Sequence, residues 1–306
     1  MLVRVLGAAA GGGFPQWNAN SEACRRARAG DPAARPATQA SIALSADGRR
    51  WLLVNASPDL RQQIEANPPL QPKEDLRSSP ITSIVLTNGD VDAIAGLLHL
   101  REGTAFTLYA HARVLDVLAA NPIFEVLNRR LVQRLPLKEG QELEPVDANG
   151  QGLGFLLRPF LAPGKVPLYL ESEQPPETTA LEGDTLGLEI EAGGKRLVYL
   201  ANCASLPDWL IARIDGVDLL FLDGTLWSDD EMIRQGAGTK TGARMGHVSM
   251  SGEAGAIARL KGVRTGRRLF IHINNTNPAL LADSPERATA EAAGWEIAWD
   301  GMELTL

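Results

Sequence analysis

The stretch from Ile81 to Glu102, ITSIVLTNGDVDAIAGLLHLRE, constrains the fold more than any other part of this chain. The apolar run Ile84-Val85-Leu86, introduced by Pro80, has the length and composition of a buried strand. It stops on the turn cluster Thr87-Asn88-Gly89-Asp90, after which Ile94, Leu97 and Leu98 recur at helical spacing. A strand that hands over to a helix within so few residues belongs to an α/β layer, and ligands bind at that edge of such layers. Asp90 and Asp92 stand there. Two carboxylates so close in a turn can share a cation or a proton. Equally, Asp90 can cap the helix while Asp92 favours its first turn through the dipole. The residues themselves leave both readings open.

The rest of the chain supplies more strands and helices of the same kind. Leu2 to Leu6 reads as a first strand, followed by the glycine turn Gly11-Gly12-Gly13, with Phe14 to Asn18 extended. The spacing of a dinucleotide-binding loop is absent. Cys24-Arg25-Arg26 leads into a polar, proline-rich loop. Ser41 to Leu44 and Trp51 to Val54 pair as a hairpin around Asp47-Gly48, and Ser57-Pro58 opens a helix to about Ile64. Further strands are expected over 106–110, 150–160, 183–190, 197–200, 218–222, 269–273 and 296–299. Helical patterns cover 112–120, 124–131, 251–260 and 284–293. Strand-rich blocks in each half, each followed by helices, predict one domain over residues 1–306, with two sheets face to face and helices outside.

Composition narrows the function. The chain has 306 residues, 44% hydrophobic and 22% charged, as in ordinary globular proteins. A net charge of −7 with no basic tract argues against a nucleic-acid surface. No apolar run approaches the roughly 18 residues of a membrane span, and the N-terminus lacks a signal-peptide pattern. The two cysteines, Cys24 and Cys203, are too few for a disulfide framework, so the cytoplasm is the expected location.

Several strands end in polar clusters: Asn55 to Asp59, Thr87 to Asp92, Asp223 to Trp227 and His272 to Asn277. If those ends converge, they build one site. His272, in the apolar run Leu269 to Ile273, is the most persuasive ligand among the four histidines, although a strand histidine also serves as a core residue bonded to backbone. His247, in Gly246-His247-Val248-Ser249, can orient a neighbouring ligand. His99 and His111 read as surface residues.

The first of these motifs resembles the leading metal motif of the metallo-β-lactamase superfamily, His-x-His-x-Asp-His after a strand. Here Asn88, Asp90 and Ala93 replace the three histidines and Asp92 is retained. A wider resemblance covers essentially the whole chain. AAAGGGFPQWN (Ala8 to Asn18), NASPDLRQQI (Asn55 to Ile64), FLDGTLWSDDEM (Phe221 to Met232), TKTGARMGH (Thr239 to His247), IHINNTNP (Ile271 to Pro278), SPERA and DGMEL are similar to the pyrroloquinoline quinone (PQQ) biosynthesis protein B family. That resemblance implies an α/β (α+β) class, with a metallo-β-lactamase-like αββα sandwich of two mixed sheets. It implies an iron-dependent hydroxylase acting on the tyrosine ring of a glutamate–tyrosine-derived, peptide-derived precursor, with dioxygen as co-substrate. The competing implication is a carrier of the cofactor or its precursor towards the periplasm, which would need cations such as Arg61, Arg101, Lys165 or Lys240. A divergent hydrolase is a third class. Contacts with other pathway proteins and a homodimer are further expectations.

The resemblance makes Asp90, Asp92 and His272 the candidate catalytic and metal ligands, for Fe(II) or, failing that, zinc. Gln16, Trp17, Ser57, Asp59, Lys165, Asp223, Thr225, Lys240, His247, Asn274 and Asn275 become the substrate-binding candidates. The family's Cys-x-Cys-x-x-Cys clip falls on Ala19, Ser21 and Cys24, so Cys24 alone keeps a residual zinc position. Its Asp-His pair is Asp92-Ala93 here, which removes an imidazole ligand.

Overall fold

The computed structural model describes residues 1–172 and 176–306. Its first six strands are β1 (Leu2–Gly7), β2 (Ser41–Ser45), β3 (Trp51–Val54), β4 (Ile81–Val85), β5 (Phe106–His111) and β6 (Val132–Leu137). The next six are β7 (Leu156–Leu161), β8 (Leu186–Ala192), β9 (Lys195–Leu200), β10 (Val217–Asp223), β11 (Thr265–Ile271) and β12 (Glu296–Ile297). The C-terminal β13 (Glu303–Thr305) returns to β1, giving sheet orders β13-β1-β2-β3-β4-β5-β6 and β12-β11-β10-β9-β8-β7. Both sheets are mixed. β3 to β6 and β9 to β12 run parallel, and the remaining neighbours antiparallel.

Side-chain alternation builds three apolar layers. Val5, Ile42, Val54 and Val85 from one sheet meet Leu188, Leu197, Tyr199, Phe221 and Ile271 from the other. The opposite faces are buried too. Leu53, Ile84 and Leu108 pack with Leu60, Leu97 and Leu118 of flanking helices, while Val198, Leu220 and Phe270 pack with Leu210, Leu260 and Trp295. Burial on both faces explains why the parallel strands read as unbroken apolar runs, such as Leu219 to Leu222. The result is the αββα sandwich expected from the sequence.

The two sheets are stitched together at one end. Beyond β1, Ala8 O and Ala10 N bond to Ile273, the continuation of β11, at 2.9 Å each. Beyond β4, Thr87 O accepts the Leu186 N–H at 2.7 Å, and Asn88 bridges to Thr185. The polar strand ends are thereby brought to one edge from both sheets.

Local expectations fail where short-range chemistry outweighs the pattern. The segment that leads into the expected polar loop, Glu22–Arg28, forms a helix capped by Ser21, whose Oγ accepts the Cys24 N–H at 3.2 Å. Gly11 to Gly13 turns as expected, and Phe14 to Asn18 turns as well instead of running extended. Ser57 is not the cap of the following helix, which begins at Leu60; its hydroxyl is taken by Gln63 and by the Asp59 N–H. The 124–131 pattern resolves into a short 3₁₀ turn, Pro122–Val126, and then β6, a strand hidden by the polar Gln133 and Arg134.

The helix Val91–Ile94 runs on as 3₁₀ over Ala95–Leu100 because it must fit closely over the turn after β3. Gly96 N donates to Ala56 O at 2.8 Å, and a Cβ on Gly96 would lie 2.0 Å from Ser57 O. Backbone meets backbone there, so no side chain can yield. Gly96→Ala is expected to lower the denaturant midpoint by the equivalent of about 1–3 kcal/mol, the usual cost of overpacking. An unchanged midpoint would mean that the Val91–Leu100 segment is not held on that turn.

Candidate metal and substrate site

At the stitched edge lies a cavity of about 510 Å³ lined by residues from both sheets, including Asp90, Asp92, Lys165, Glu171, Asn202, Thr225, Lys240, His247, His272 and Asn274. Asp90 occupies the N-cap position of the helix Val91–Ile94, but its side chain makes no cap hydrogen bond. Its backbone N–H is held instead by Asn88 Oδ1 at 3.1 Å. Asp92, in the first turn, accepts from His272 Nε2 at 2.8 Å.

His272 is the first residue past β11 and has φ +61°, a left-handed conformation that costs a non-glycine residue on the order of 1–3 kcal/mol. Its neighbours enforce it: Ile273 N donates to Ala8 O at 2.9 Å, and Asn274 N to Thr225 O at 3.0 Å. The ring's other nitrogen, Nδ1, meets Thr225 Oγ1 at 2.8 Å. Thr225 has one hydroxyl proton, and it is directed to Asp223 Oδ1 at 2.7 Å. His272 Nδ1 must therefore be the donor to Thr225, leaving Nε2 as the nitrogen that faces the cavity and Asp92.

Asp223 ends β10 and is fully buried. Its carboxylate accepts four hydrogen bonds: Cys203 N (2.8 Å), Thr225 N (3.0 Å), Thr225 Oγ1 (2.7 Å) and His247 Nδ1 (2.7 Å). With Nδ1 donating to Asp223, the His247 Nε2 carries the lone pair. The two imidazoles stack with centroids 5.3 Å apart. Ligand atoms of Asp223, His247 and His272 lie within 4.8 Å of one another, the one such group of three among the described residues. Asp223 is saturated by donors, so its geometry suits orienting Thr225 and His247. Asp92 and the open carboxylate of Asp90 suit a cation better.

Electrostatics supports that division. Burial and the adjacent Asp92 charge push the Asp90 carboxyl up to about 6. Burial opposes charge on His272, but the Asp92 hydrogen bond and the charges of Asp92, Asp223 and Asp90 outweigh it and raise the imidazolium above its usual range. Burial likewise opposes the Asp92 carboxylate, which the His272 hydrogen bond nonetheless holds below its ordinary value. Two carboxylates facing one imidazole leave a negative charge that a cation would neutralise, so the donor set fits a divalent metal.

Of the sequence candidates, Asp90, Asp92, Lys165, Thr225, Lys240, His247, His272 and Asn274 line the cavity. The others lie behind or outside it. Asn275 donates to Gln16 Oε1 at 2.5 Å beside the glycine turn, and Trp17 is 86% exposed. Ser57 and Asp59 form a brace: Asp59 Oδ2 accepts from Gln39 N and Nε2, and Gln39 Oε1 accepts from Gly12 N at 3.1 Å. Cys24 is buried with its Sγ 4.0 Å from Asn275 Oδ1, and no metal-binding group of three forms around it among the described residues. Arg61 and Arg101 do not line the cavity. The sequence reading missed Glu171 and Asn202. Asn202 follows β9 and accepts from Asn88 Nδ2 at 3.1 Å, so its place past a strand end was an available signal. Glu171 had none.

Comparison with known proteins gives this architecture its family. Residues 50–273 match the beta-lactamase superfamily domain. The chain is 54% identical to coenzyme PQQ synthesis protein B of Gluconacetobacter diazotrophicus, over 98% of both chains. It is 54% identical to the protein of the same name from Bradyrhizobium diazoefficiens, over the full length of both. The chain belongs to the coenzyme PQQ synthesis protein B family. Its fold is the metallo-β-lactamase fold, and its role lies in PQQ biosynthesis. A crystal structure of Zn²⁺-bound PqqB from Methylobacterium extorquens, 53% identical, matches with a TM-score of 0.96 over all of both chains. A diphosphatase of the PhnP family, 19% identical, shares the fold at a TM-score of 0.67, covering 100% of this chain and 97% of its own. No helix among the described residues is long and apolar enough to cross a membrane.

The raised Asp90 value has a definite sign. A carboxyl near 6 in the folded state and 3.8 otherwise adds stability that is complete below pH 3.8 and lost as the pH climbs through about 6. In chelator-treated protein, Asp90→Asn is expected to become progressively more stable than the parent between pH 4 and 7. The gain should reach about 1–2 kcal/mol after allowing for water in the cavity. Denaturation at several pH values measures it, and parallel curves for the two proteins would show that Asp90 bears no unmatched charge.

Proposed function

We propose that this chain is an iron-dependent, oxygen-using hydroxylase of the tyrosine ring in a glutamate–tyrosine-derived precursor of PQQ. The observation that carries the proposal is the meeting of Asp90, Asp92 and His272 at one cavity, with negative charge left unmatched. Two carboxylates and one imidazole are an oxygen-rich version of the facial donor set that binds non-haem Fe(II) with positions left open. Bound there, iron would supply the dioxygen chemistry that ring hydroxylation requires and no ordinary side chain performs.

The chain's own residues have separable tasks in this reading. Asp90, Asp92 and His272 Nε2 hold the ion, and the Asp223–Thr225 pair fixes the ring of His272 so that Nε2 faces it. His247, held by Asp223 through Nδ1, can accept a phenolic proton on its other nitrogen. About 510 Å³ is room for a dipeptide-sized ligand. A cytoplasmic location belongs to the same proposal, supported by the buried free thiols of Cys24 and Cys203.

A single-turnover experiment with Fe(II)-loaded protein and a glutamyl-tyrosine substrate, with and without dioxygen, tests the reaction. The expected product gains one oxygen atom on the ring only when dioxygen is present. Binding of iron and substrate without that gain would overturn the hydroxylase and leave the carrier role, and a cleaved product would point to a hydrolase.

Position 93 provides a second test. Ala93 is 3% exposed, in the apolar layer with Leu6, Ala56 and Leu97, and directly follows Asp92. Ala93→His is expected to raise Fe(II) affinity by at least about tenfold, equivalent to ~1.4 kcal/mol, and to increase the hydroxylation rate. It should also lower the thermal midpoint of the metal-free protein, in which the imidazole has no ion to bind and lies in the apolar layer. Equal iron affinity in titrations of the two proteins would mean that this side chain faces the layer and not the metal.

A further inference from the structure

The cavity that holds Asp90 and Asp92 also has a cationic part. Lys165 and Lys240 line it together with Glu171. Glu171 Oε1 pairs with Lys165 Nζ at 2.9 Å, while its Oε2 meets Arg244 Nη2 at 3.0 Å and Lys240 Nζ at 3.3 Å. Three cations share one carboxylate, so the cluster carries two positive charges beyond its own ion pairs among the described residues, and the Lys165 charge also acts on Asp90. Burial opposes charge on Glu171, but the three cations outweigh it and hold the carboxyl down to about 2. Glu171 therefore stays ionised, and the excess persists at any physiological pH.

Two details mark the cluster as unfinished. Arg244 Nη1 is buried and has no hydrogen-bond partner, although a buried guanidinium donor ordinarily finds one. Gly246, at φ +88°, ends the helix that carries Arg244, and a Cβ there would lie 3.3 Å from Lys165 Cγ. The lysine stem thus runs against bare backbone and is kept at the cavity.

We infer that Lys165 and Lys240 form a subsite for a carboxylate of the substrate, and that Glu171 gathers them there, with Arg244 behind it balancing part of the Glu171 charge. This rests on the reading of the substrate as a glutamate–tyrosine derivative, which carries carboxylates away from its phenol. A carboxylate is anionic and accepts several donors, which the two lysine ammoniums supply together. It would share Lys240 with Glu171 and complete the donors that Glu171 leaves unfilled. The subsite makes the cavity select acids over the matching amides.

Equilibrium binding of glutamyl-tyrosine and of its carboxamide analogue, measured by calorimetry under anaerobic conditions, tests this without turnover. The acid is expected to bind at least about tenfold more tightly, as one charge-assisted contact warrants. Lys240→Met should weaken the acid about tenfold and leave the amide unchanged; Lys240 is 39% exposed in its side chain, so the fold tolerates the change. Glu171→Gln should tighten the acid, since it removes the competing carboxylate, whereas a purely structural ion cluster would lose affinity for both ligands. Equal binding of acid and amide, or equal losses for both in Lys240→Met, would overturn the subsite. Selective acid binding without hydroxylation would sink the proposed reaction and leave the subsite standing. Hydroxylation of acid and amide with equal kcat/KM would do the reverse.

Discussion

The site depends on one buried carboxylate. Asp223 gathers a backbone N–H from the end of β9, the N–H and hydroxyl of Thr225 beyond β10, and the imidazole of His247 from a loop more than twenty residues further on. A buried carboxylate is tolerable only when its lone pairs are filled, and here four donors fill them. The same satisfaction fixes geometry. Because Thr225 gives its proton to Asp223, it can only receive one from His272, and the nitrogen presented to the cavity is settled by that accounting. Any donor lost from this set would leave either a buried anion or a misdirected ring.

Two sheets are needed to bring the partners of that network together with Asp90 and Asp92. The carboxylates stand beyond β4 in one sheet, and Asp223 at the end of β10 and His272 beyond β11 in the other. Their spacing is set by bonds that cross between sheets, from Ala8 and Ala10 to Ile273 and from Thr87 to Leu186. Strain is concentrated at the same edge. Among the described residues, His272 and Asn55, both at strand ends, are the non-glycine residues with positive φ, and each is held by the bonds around it. Asn55 brackets Thr87 through its side chain, donating to the hydroxyl at 2.9 Å and accepting the backbone N–H at 2.9 Å. Such conformations persist only where the surroundings over-determine them.

The cavity is charged in two senses. Carboxylates dominate where Asp90, Asp92 and His272 meet, and cations dominate around Glu171. In the proposed reading, opposite charges in one cavity would favour one orientation of a ligand that carries both a metal-seeking group and an acid, because reversing it would set like charges together. Behind this surface, Asp59, Gln39 and Gly12 form a chain of hydrogen bonds that holds the glycine turn in place. Ser57 and Asp59 thus connect to the glycine turn through hydrogen bonds and do not line the cavity.

The sequence by itself determined the layered fold and the strand-end location of the site. Unbroken apolar runs closed by polar clusters require strands buried on both faces, and their ends are the places where polar groups can meet a ligand. Asp90, Asp92, Thr225, His247 and His272 were legible for that reason as residues that share one cavity. Local patterns could not reveal the capped helix at Glu22–Arg28 or the polar edge strand β6, since a single side-chain bond or a neighbouring strand decided each. Nor could they separate Asp223, buried and saturated, from Asp90, open to the cavity, because both are aspartates at or beyond the end of a strand. Tertiary structure made that distinction by deciding how many donors reach each carboxylate. It also decided the role of Glu171, which no motif marks and which acquires its three cations only when the loop after β7 meets the segment around Arg244.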